Sequence, residues 1–276
     1  MEPELRGDAM EEREVEARLA VALPIVEAAG RLALEHFRRP IAVENKRGSG
    51  GFDPVTAADR SVEALIRERL GQAFPDSPIV GEEDGFTWGA GPWSWIIDPI
   101  DGTRAFISGV PAWGVLVGLL KDGEPLAGIV RQPYLSETFV GSGGGAFLVT
   151  PAATTRLASS GRTDLGGAIL YSTQPGMFAD PGEQAGFDRV ARAVRMCRFG
   201  GDCYSYCLLA AGFIDLVVEG GLQPYDILPL IPIVEAAGGV VTDLDGNRPL
   251  AGGTVIAAAS PELSARACAL MRGGIG

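Results

Sequence analysis

The sequence predicts a layered α/β sandwich built in two successive halves. Three observations predict it. Segments with a helical apolar period alternate with short apolar runs of strand length. The run Trp95-Ile96-Ile97 is apolar at consecutive positions, as in a strand covered on both faces. Two apolar runs also flank Lys121-Asp122-Gly123-Glu124, the composition of a hairpin turn.

Residues 1–11 are polar and expected to fray. Residues 12–38 carry Leu19, Val21, Ile25, Ala28, Leu32, Ala33 and Phe37 at helical spacing, which predicts one long helix. Lys46-Arg47-Gly48-Ser49-Gly50-Gly51 reads as a flexible basic turn. A second helix starts near Thr56 or Ala57, turns Ala58, Val62, Ile66 and Leu70 inward, and ends near Phe74-Pro75-Asp76. Strands are predicted at 78–81, 95–98, 113–120 and 126–132, with a further pair at 137–140 and 146–149. The second half reads strand 168–171, helix 187–195, helix 204–212, strand 216–219 and helix 227–237. Strands 240–242 and 254–258 and a helix from Pro261 complete it. The halves are 12–150, with most of the acidic strand ends, and 151–276. No internal repeat or low-complexity segment supports a solenoid or a linker-rich chain.

A net charge of −12 argues against nucleic acid or an anionic membrane as the main partner. It leaves a phosphorylated ligand open, because bound divalent cations reverse the local field. The first residues lack an apolar signal region, and no apolar run is long enough to span a bilayer. A cytoplasmic protein is expected. The four cysteines form no CxxC pair; Cys203 and Cys207, four apart on a predicted helix, read as small core residues rather than zinc ligands.

Acidic residues just after apolar strands carry the chemistry. Asp98 ends the strand at 95–98, and Asp101 follows across the stiff Pro99. Gly102 and Thr103 open a helical stretch whose backbone N–H groups can receive an anion. A helix cap and a turn residue would account for one of these aspartates. They would not account for Gly81-Glu82-Glu83-Asp84 after another strand, or for Asp226 at the head of the helix that follows strand 216–219. Three such strand ends point to a divalent cation with oxygen ligands, Mg²⁺ or Mn²⁺.

Missing residue types narrow the mechanism. The one histidine, His36, lies on the first helix, remote from the acidic segments, which disfavours a histidine nucleophile, a Ser-His-Asp triad and a His-rich zinc site. No GxxxxGK[ST] loop is present. An aspartyl-phosphate enzyme of the haloacid-dehalogenase type wants two aspartates one residue apart; Asp98 and Asp101 are separated by two. Water activated by metal is the expected nucleophile.

Asp53-Pro54-Val55-Thr56-Ala57-Ala58-Asp59, Gly81-Glu82-Glu83 and Trp95-Ile96-Ile97-Asp98-Pro99-Ile100-Asp101-Gly102-Thr103 together resemble the inositol monophosphatase family, in order and spacing. The resemblance runs from about residue 15 to 270. It implies a five-layered αβαβα sandwich of the inositol monophosphatase and fructose bisphosphatase type, usually a homodimer, with two or three Mg²⁺ per site. By position, Glu82, Asp98 and the Ile100 carbonyl would bind the first metal. Asp98, Asp101 and Asp226 would bind the second, and Glu82 a weaker third. Thr103, near Glu82 or Asp53, would orient the attacking water, and the Gly102 and Thr103 N–H groups would hold the phosphate. Lys46 falls where the family has a mobile basic loop.

Three further segments look more like the histidinol-phosphate phosphatase branch: Arg104-Ala105-Phe106-Ile107-Ser108-Gly109-Val110-Pro111, Gly200-Gly201-Asp202-Cys203-Tyr204-Ser205-Tyr206 and Gly221-Leu222-Gln223-Pro224-Tyr225-Asp226. The inositol branch usually has Thr-Asn-Phe after its Asp-Gly-Thr core and a tryptophan before its last metal aspartate; here Arg104-Ala105-Phe106 and Tyr225 stand there. Histidinol phosphate carries an ammonium and an imidazole, so carboxylates and aromatic faces should line its pocket. Asp202, Glu219, Tyr225 and Arg104 are the residues placed there by the resemblance. Asp202 could instead cap the following helix, and Glu219 could be a solvated strand end. Tyr204 and Tyr206 read as core or dimer-interface residues. The expected activity is hydrolysis of L-histidinol phosphate in histidine biosynthesis. The alternatives are an inositol-1-phosphate or broad sugar phosphatase, and a catalytically silent binding or regulatory relative.

Overall fold

The computed structural model describes residues 2–40, 42–45, 54–83 and 92–274. The expectations for Lys46 and Asp53 fall outside those residues. Among the described residues no helix is long and apolar enough to cross a membrane.

The outermost layer is α1 (Glu2–Leu34) and α2 (Ala57–Ala73). Helix α1 begins ahead of the predicted 12–38 segment and gives way to turns before Arg38. Its buried stripe runs through Val15, Leu19, Ala22, Ile25, Val26, Ala29 and Ala33; Val21, expected inward, is exposed. A capping box starts α2, with Thr56 Oγ1 accepting from the Ala58 N–H while the Thr56 N–H donates to Asp59 Oδ2 at 2.8 Å. Ahead of α2 lies a small antiparallel pair, β1 (Val43–Asn45) and β2 (Pro54–Thr56).

These helices cover a seven-stranded sheet: β3 (Ile79–Gly81), β4 (Trp93–Asp101), β5 (Gly114–Lys121), β6 (Glu124–Gln132), β7 (Glu137–Ser142), β8 (Gly145–Val149) and β9 (Thr154–Arg156). Strands follow chain order, β3 parallel to β4 and the rest antiparallel. Between β4 and β5 comes α3 (Thr103–Ser108). A five-stranded sheet, ordered β11-β10-β12-β14-β13, holds β10 (Ile169–Ser172), β11 (Met196–Phe199), β12 (Leu216–Leu222), β13 (Val240–Thr242) and β14 (Gly253–Ala258). Between the two sheets lie α5 (Asp202–Ala210), α6 (Pro224–Ile227) and α7 (Leu230–Ala236); α4 (Pro181–Ala193) and α8 (Pro261–Met271) close the far side.

The chain is thus an αβαβα sandwich with three apolar layers. Trp95, Ile97, Trp113, Val115 and Val117 face α1 and α2. Ile96, Leu116 and Val130 meet Cys207, Ile231 and the inner face of the second sheet. Leu170, Val218 and Ile256 face α4 and α8. The alternation in β4 explains the consecutive apolar run: both faces are covered. The predicted helix over 227–237 is in the main α7, while the separate short α6 ends at Ile227 ahead of Leu228-Pro229, where proline has no N–H to continue it. The predicted helix at 187–195 begins earlier, at Pro181, behind an Asp180 cap, and the exposed edge strand β11 follows it.

One row of glycines sets the depth of the middle layer. Gly118, Gly128 and Gly141 pair in register across β5, β6 and β7. A Cβ at Gly128 would lie 1.7 Å from the Pro229 carbonyl oxygen, and one at Gly141 would lie 2.3 Å from Ile233 Cα. Only bare backbone lets α7 lie this close to the sheet, and α6, immediately before it, comes down with it.

Candidate metal centre

Asp98 and Asp101 lie three apart on β4, and in a regular strand such residues point to opposite faces. The register prevents that. Asp98 pairs with Leu116 and Asp101 with Gly114, so β4 holds one residue more than β5 over this stretch. This bulge turns both carboxylates to one side, and Pro99, which cannot donate to a ladder, sits within it. The Ile100 N–H donates to Asp98 Oδ1 at 3.0 Å. The Cys203 N–H, at the start of α5, donates to Asp101 Oδ1 at 2.9 Å.

Asp226 enters from the other half. It is the third residue of α6, where Oδ2 accepts the Gln223 N–H at 2.7 Å. The sandwich brings it to β4, so one carboxylate oxygen from each of Asp98, Asp101 and Asp226 lies within 4.8 Å of the others. Glu82 follows β3 beside Asp98, since Gly81 is level with Ile97 in a parallel pair. Its charge adds to the field at Asp98 and Asp226.

Burial and mutual repulsion dominate the electrostatics. Asp98, 2% exposed, is pushed well above the ordinary carboxylate range by burial first, then by Glu82, Asp101 and Asp226. Asp226 is raised well above that range too, by burial and then Asp101; Asp101 is raised by burial. No described Lys or Arg makes a salt bridge to any of the three. Clustered carboxylates, Asp98 buried and Asp101 and Asp226 half-buried, fit a divalent metal with hard oxygen ligands.

A metal-dependent stability follows. Each of these carboxyls has a folded pKa above its unfolded one. Without a cation, stability is therefore fullest in acid and falls as pH rises from the unfolded value, ~4, through the raised folded values. Chelating the metal should lower Tm more at pH 8 than at pH 5. At pH 8, metal a hundredfold above its Kd contributes about 2.7 kcal/mol, or roughly 5–10 °C in Tm. Differential scanning calorimetry with and without chelator checks this; an equal loss at both pH values would contradict it.

Around the cluster the chain leaves an open cleft. Gly102, at φ +81°, starts α3 in the left-handed region open to glycine. Thr103 Oγ1 donates to the Ile100 carbonyl at 3.1 Å, leaving its lone pairs to accept. A cleft of about 560 Å³ opens here, lined by Thr103, Arg104, Gln174, Asp202, Gln223 and Asp226 among others. A deeper recess of about 140 Å³ adds Asp101, Cys203, Tyr206 and Glu219.

The inner wall of that recess is acidic. Glu219, 2% exposed, is no solvated strand end: Oε1 accepts the Thr173 N–H at 2.8 Å and Oε2 the Tyr206 hydroxyl at 2.9 Å. Burial carries its carboxyl up to about 7 against those two bonds. Asp202 is not the α5 cap either, for that position is Gly201 and no side chain caps there. Asp202 takes a positive φ of 43° and is pushed up to about 8 by burial, then by Asp101 and Glu219, with Arg104 pulling it down. Arg104 donates to Gln174 Oε1 at 2.7 Å across the mouth of the cleft.

Sequence reasoning missed Thr173, Gln174 and Met177, neutral residues in the loop after β10 that line the cleft. Tyr206 is a core residue, as expected, and its hydroxyl in addition donates to Glu219 at the wall of the recess. Tyr204 donates instead to Glu137 Oε2 at 2.7 Å. The half-buried Tyr225 packs on the central apolar layer and is not among the residues lining the cleft or recess.

Comparison with known proteins places this geometry. A model of the inositol monophosphatase family matches residues 14–274. The bifunctional phosphatase IMPL2, chloroplastic, of Arabidopsis thaliana is 36% identical over 241 residues, 87% of this chain and 68% of that protein. The histidinol-phosphatase of Mycobacterium tuberculosis is 39% identical over 206 residues, 74% of this chain and 79% of that one. The solved inositol monophosphatase from Zymomonas mobilis superposes with a TM-score of 0.82 at 35% identity, covering 93% of this chain and 98% of that one.

Proposed function

Because the chain belongs to the inositol monophosphatase family, and is an enzyme hydrolysing phosphate monoesters, we propose that its substrate is L-histidinol phosphate. One observation carries the choice of substrate. The recess lined by Asp101 and Asp226 is lined as well by the half-buried Asp202 and the buried Glu219, whose carboxyls desolvation raises to about 8 and about 7. Such a wall is costly to charge unless a cation meets it, and an amine or imidazolium of the substrate supplies that cation. An uncharged polyol supplies none. Relatives named histidinol-phosphatase support the same reading.

The family is metal-dependent, and the all-oxygen donor set favours Mg²⁺, with Mn²⁺ as the alternative. Asp98, Asp101, Asp226, Glu82 and the Ile100 carbonyl would hold two or three ions. When bound, such ions lower the pKa of water and neutralise charge on the leaving oxygen. The chain's own groups do the positioning. Thr103 Oγ1, whose hydroxyl donates to the Ile100 carbonyl, would accept a hydrogen bond from the attacking water and so orient it toward the ester. Glu82 is the nearby base, with Asp53 assigned beside it by the resemblance. The Gly102 and Thr103 N–H groups receive the phosphate, and Arg104 completes the substrate end; Tyr225, packed on the central apolar layer, takes no part there. We also assign a cytoplasmic homodimer on the family pattern, and Lys46 to a loop closing over the site.

The test is kcat/KM for histidinol phosphate against inositol 1-phosphate with Mg²⁺. A preference of at least ~100-fold for histidinol phosphate is expected, on the scale of one or two charge-assisted contacts. Equal or better turnover of inositol 1-phosphate would sink the assignment. Asp202→Asn should raise KM for histidinol phosphate by roughly tenfold or more while leaving turnover of a small uncharged ester nearly unchanged.

A further inference from the structure

Glu63 on α2 is 2% exposed and takes no part in the hydrolysis described above. Both its oxygens are engaged. Oε1 accepts from Arg67 Nε at 2.7 Å, one helical turn on, and Oε2 accepts the Glu83 backbone N–H at 3.0 Å. Arg67 Nη1 donates in turn to the Ile79 carbonyl at 2.8 Å. This ion pair therefore grips β3 at its start, Ile79, and just beyond its end, Glu83. At Gly81, between them, a Cβ would lie 2.2 Å from Glu63 Oε1, so the carboxylate occupies the space a side chain would take.

Glu82 sits between those two points. Its own N–H is held by the Ile97 carbonyl at 3.2 Å, one residue before Asp98. The next peptide is fixed by Glu63. We propose that Glu63, braced by Arg67, is a positioning residue that directs Glu82 at the metal cluster and so sets how tightly the site takes its divalent cation. This rests on the reading of Glu82 as a ligand of that site. Stability alone does not call for the pair, because a buried ion pair is expensive to desolvate and apolar groups of the same volume pack as well. Groups that orient a metal-binding side chain, by contrast, change metal affinity about 10–100-fold when altered.

Glu63→Gln keeps the shape but turns an amide NH₂ toward one of two donors, Arg67 Nε or the Glu83 N–H, with Gly81 leaving little room to turn aside. Two Mg²⁺ titrations read the result: turnover, and thermal stabilisation of the substrate-free protein by Mg²⁺ alone. Both midpoints should rise about tenfold or more, with kcat at saturating Mg²⁺ within about threefold of wild type. Arg67→Lys, a milder change that loses the fork spanning Glu63 and Ile79, should move both the same way by less. Ile66→Val, a trim in the core of the same helix, should lower Tm and leave both midpoints in place. Unmoved midpoints in Glu63→Gln and Arg67→Lys, with only a lower Tm, overturn the proposal. A Glu82→Gln variant with an unmoved midpoint would instead remove Glu82 from the site, a failure of the functional reading rather than of the brace.

Discussion

Asp98→Asn is expected to lower kcat by at least ~10³-fold, equivalent to about 4 kcal/mol of lost transition-state stabilisation, while leaving the protein folded. The two effects separate because Asp98 does two things. Its Oδ1 accepts the Ile100 N–H that shapes the bulge, and an asparagine oxygen accepts that bond equally well. Its negative charge, in contrast, is opposed by burial and by Glu82, Asp101 and Asp226. Removing that charge should leave the metal-free protein as stable as wild type at neutral pH, or more so. The Mg²⁺-induced rise in Tm should shrink with the activity. Retained turnover would take Asp98 out of the metal site; a lower metal-free Tm would show that the carboxylate is needed for the fold rather than for the cation.

Gly128→Ala should be among the most destabilising single changes in the chain, by about 3 kcal/mol or more and roughly 6–12 °C in Tm. The added Cβ would overlap the Pro229 carbonyl oxygen at 1.7 Å, and both partners are backbone, so no side chain can swing aside. Either β6 or α7 must move. Because α6 and Asp226 lie just ahead of Pro229, the shift should also weaken metal binding. Gly143→Ala is a useful contrast, since its Cβ would meet only the far end of Glu12 at 3.0 Å, which can turn away. Thermal melts of the two variants check the comparison; similar Tm values would mean that α7 does not rest on the glycine row.

Much of the candidate site was legible in sequence because its residues are charged where charge is costly. Asp98, Asp101 and Glu82 each follow an apolar run, and a carboxylate at a covered strand end asks for a cation. Other parts left no such mark. Thr173 contributes a backbone N–H to Glu219, which any residue but proline could donate. Tyr206 looks in sequence like any apolar residue of α5; only its contact with Glu219 sets it apart from the other core residues. Val21 fits the helical period of α1 and is exposed all the same, because the buried stripe runs instead through Ala22, Ile25 and Val26. Pro229 marks the break between α6 and α7 in the sequence, but the apolar period that continues on both sides of it masks the break.

The stretch from Asp98 to Thr103 thus determines the type of chemistry from sequence alone, because local order sets which side chains follow which strand. Three matters were left to the tertiary structure. The β4 bulge turned Asp98 and Asp101 to one face, which depends on how β5 pairs with β4. The glycine row let α7 settle and carried Asp226 across from the second half. The packing of α5 on β12 buried Glu219 and set Asp202 beside it in the lining of one recess. Each is a relation between residues far apart in the chain, and such relations exist only once burial has brought the layers together.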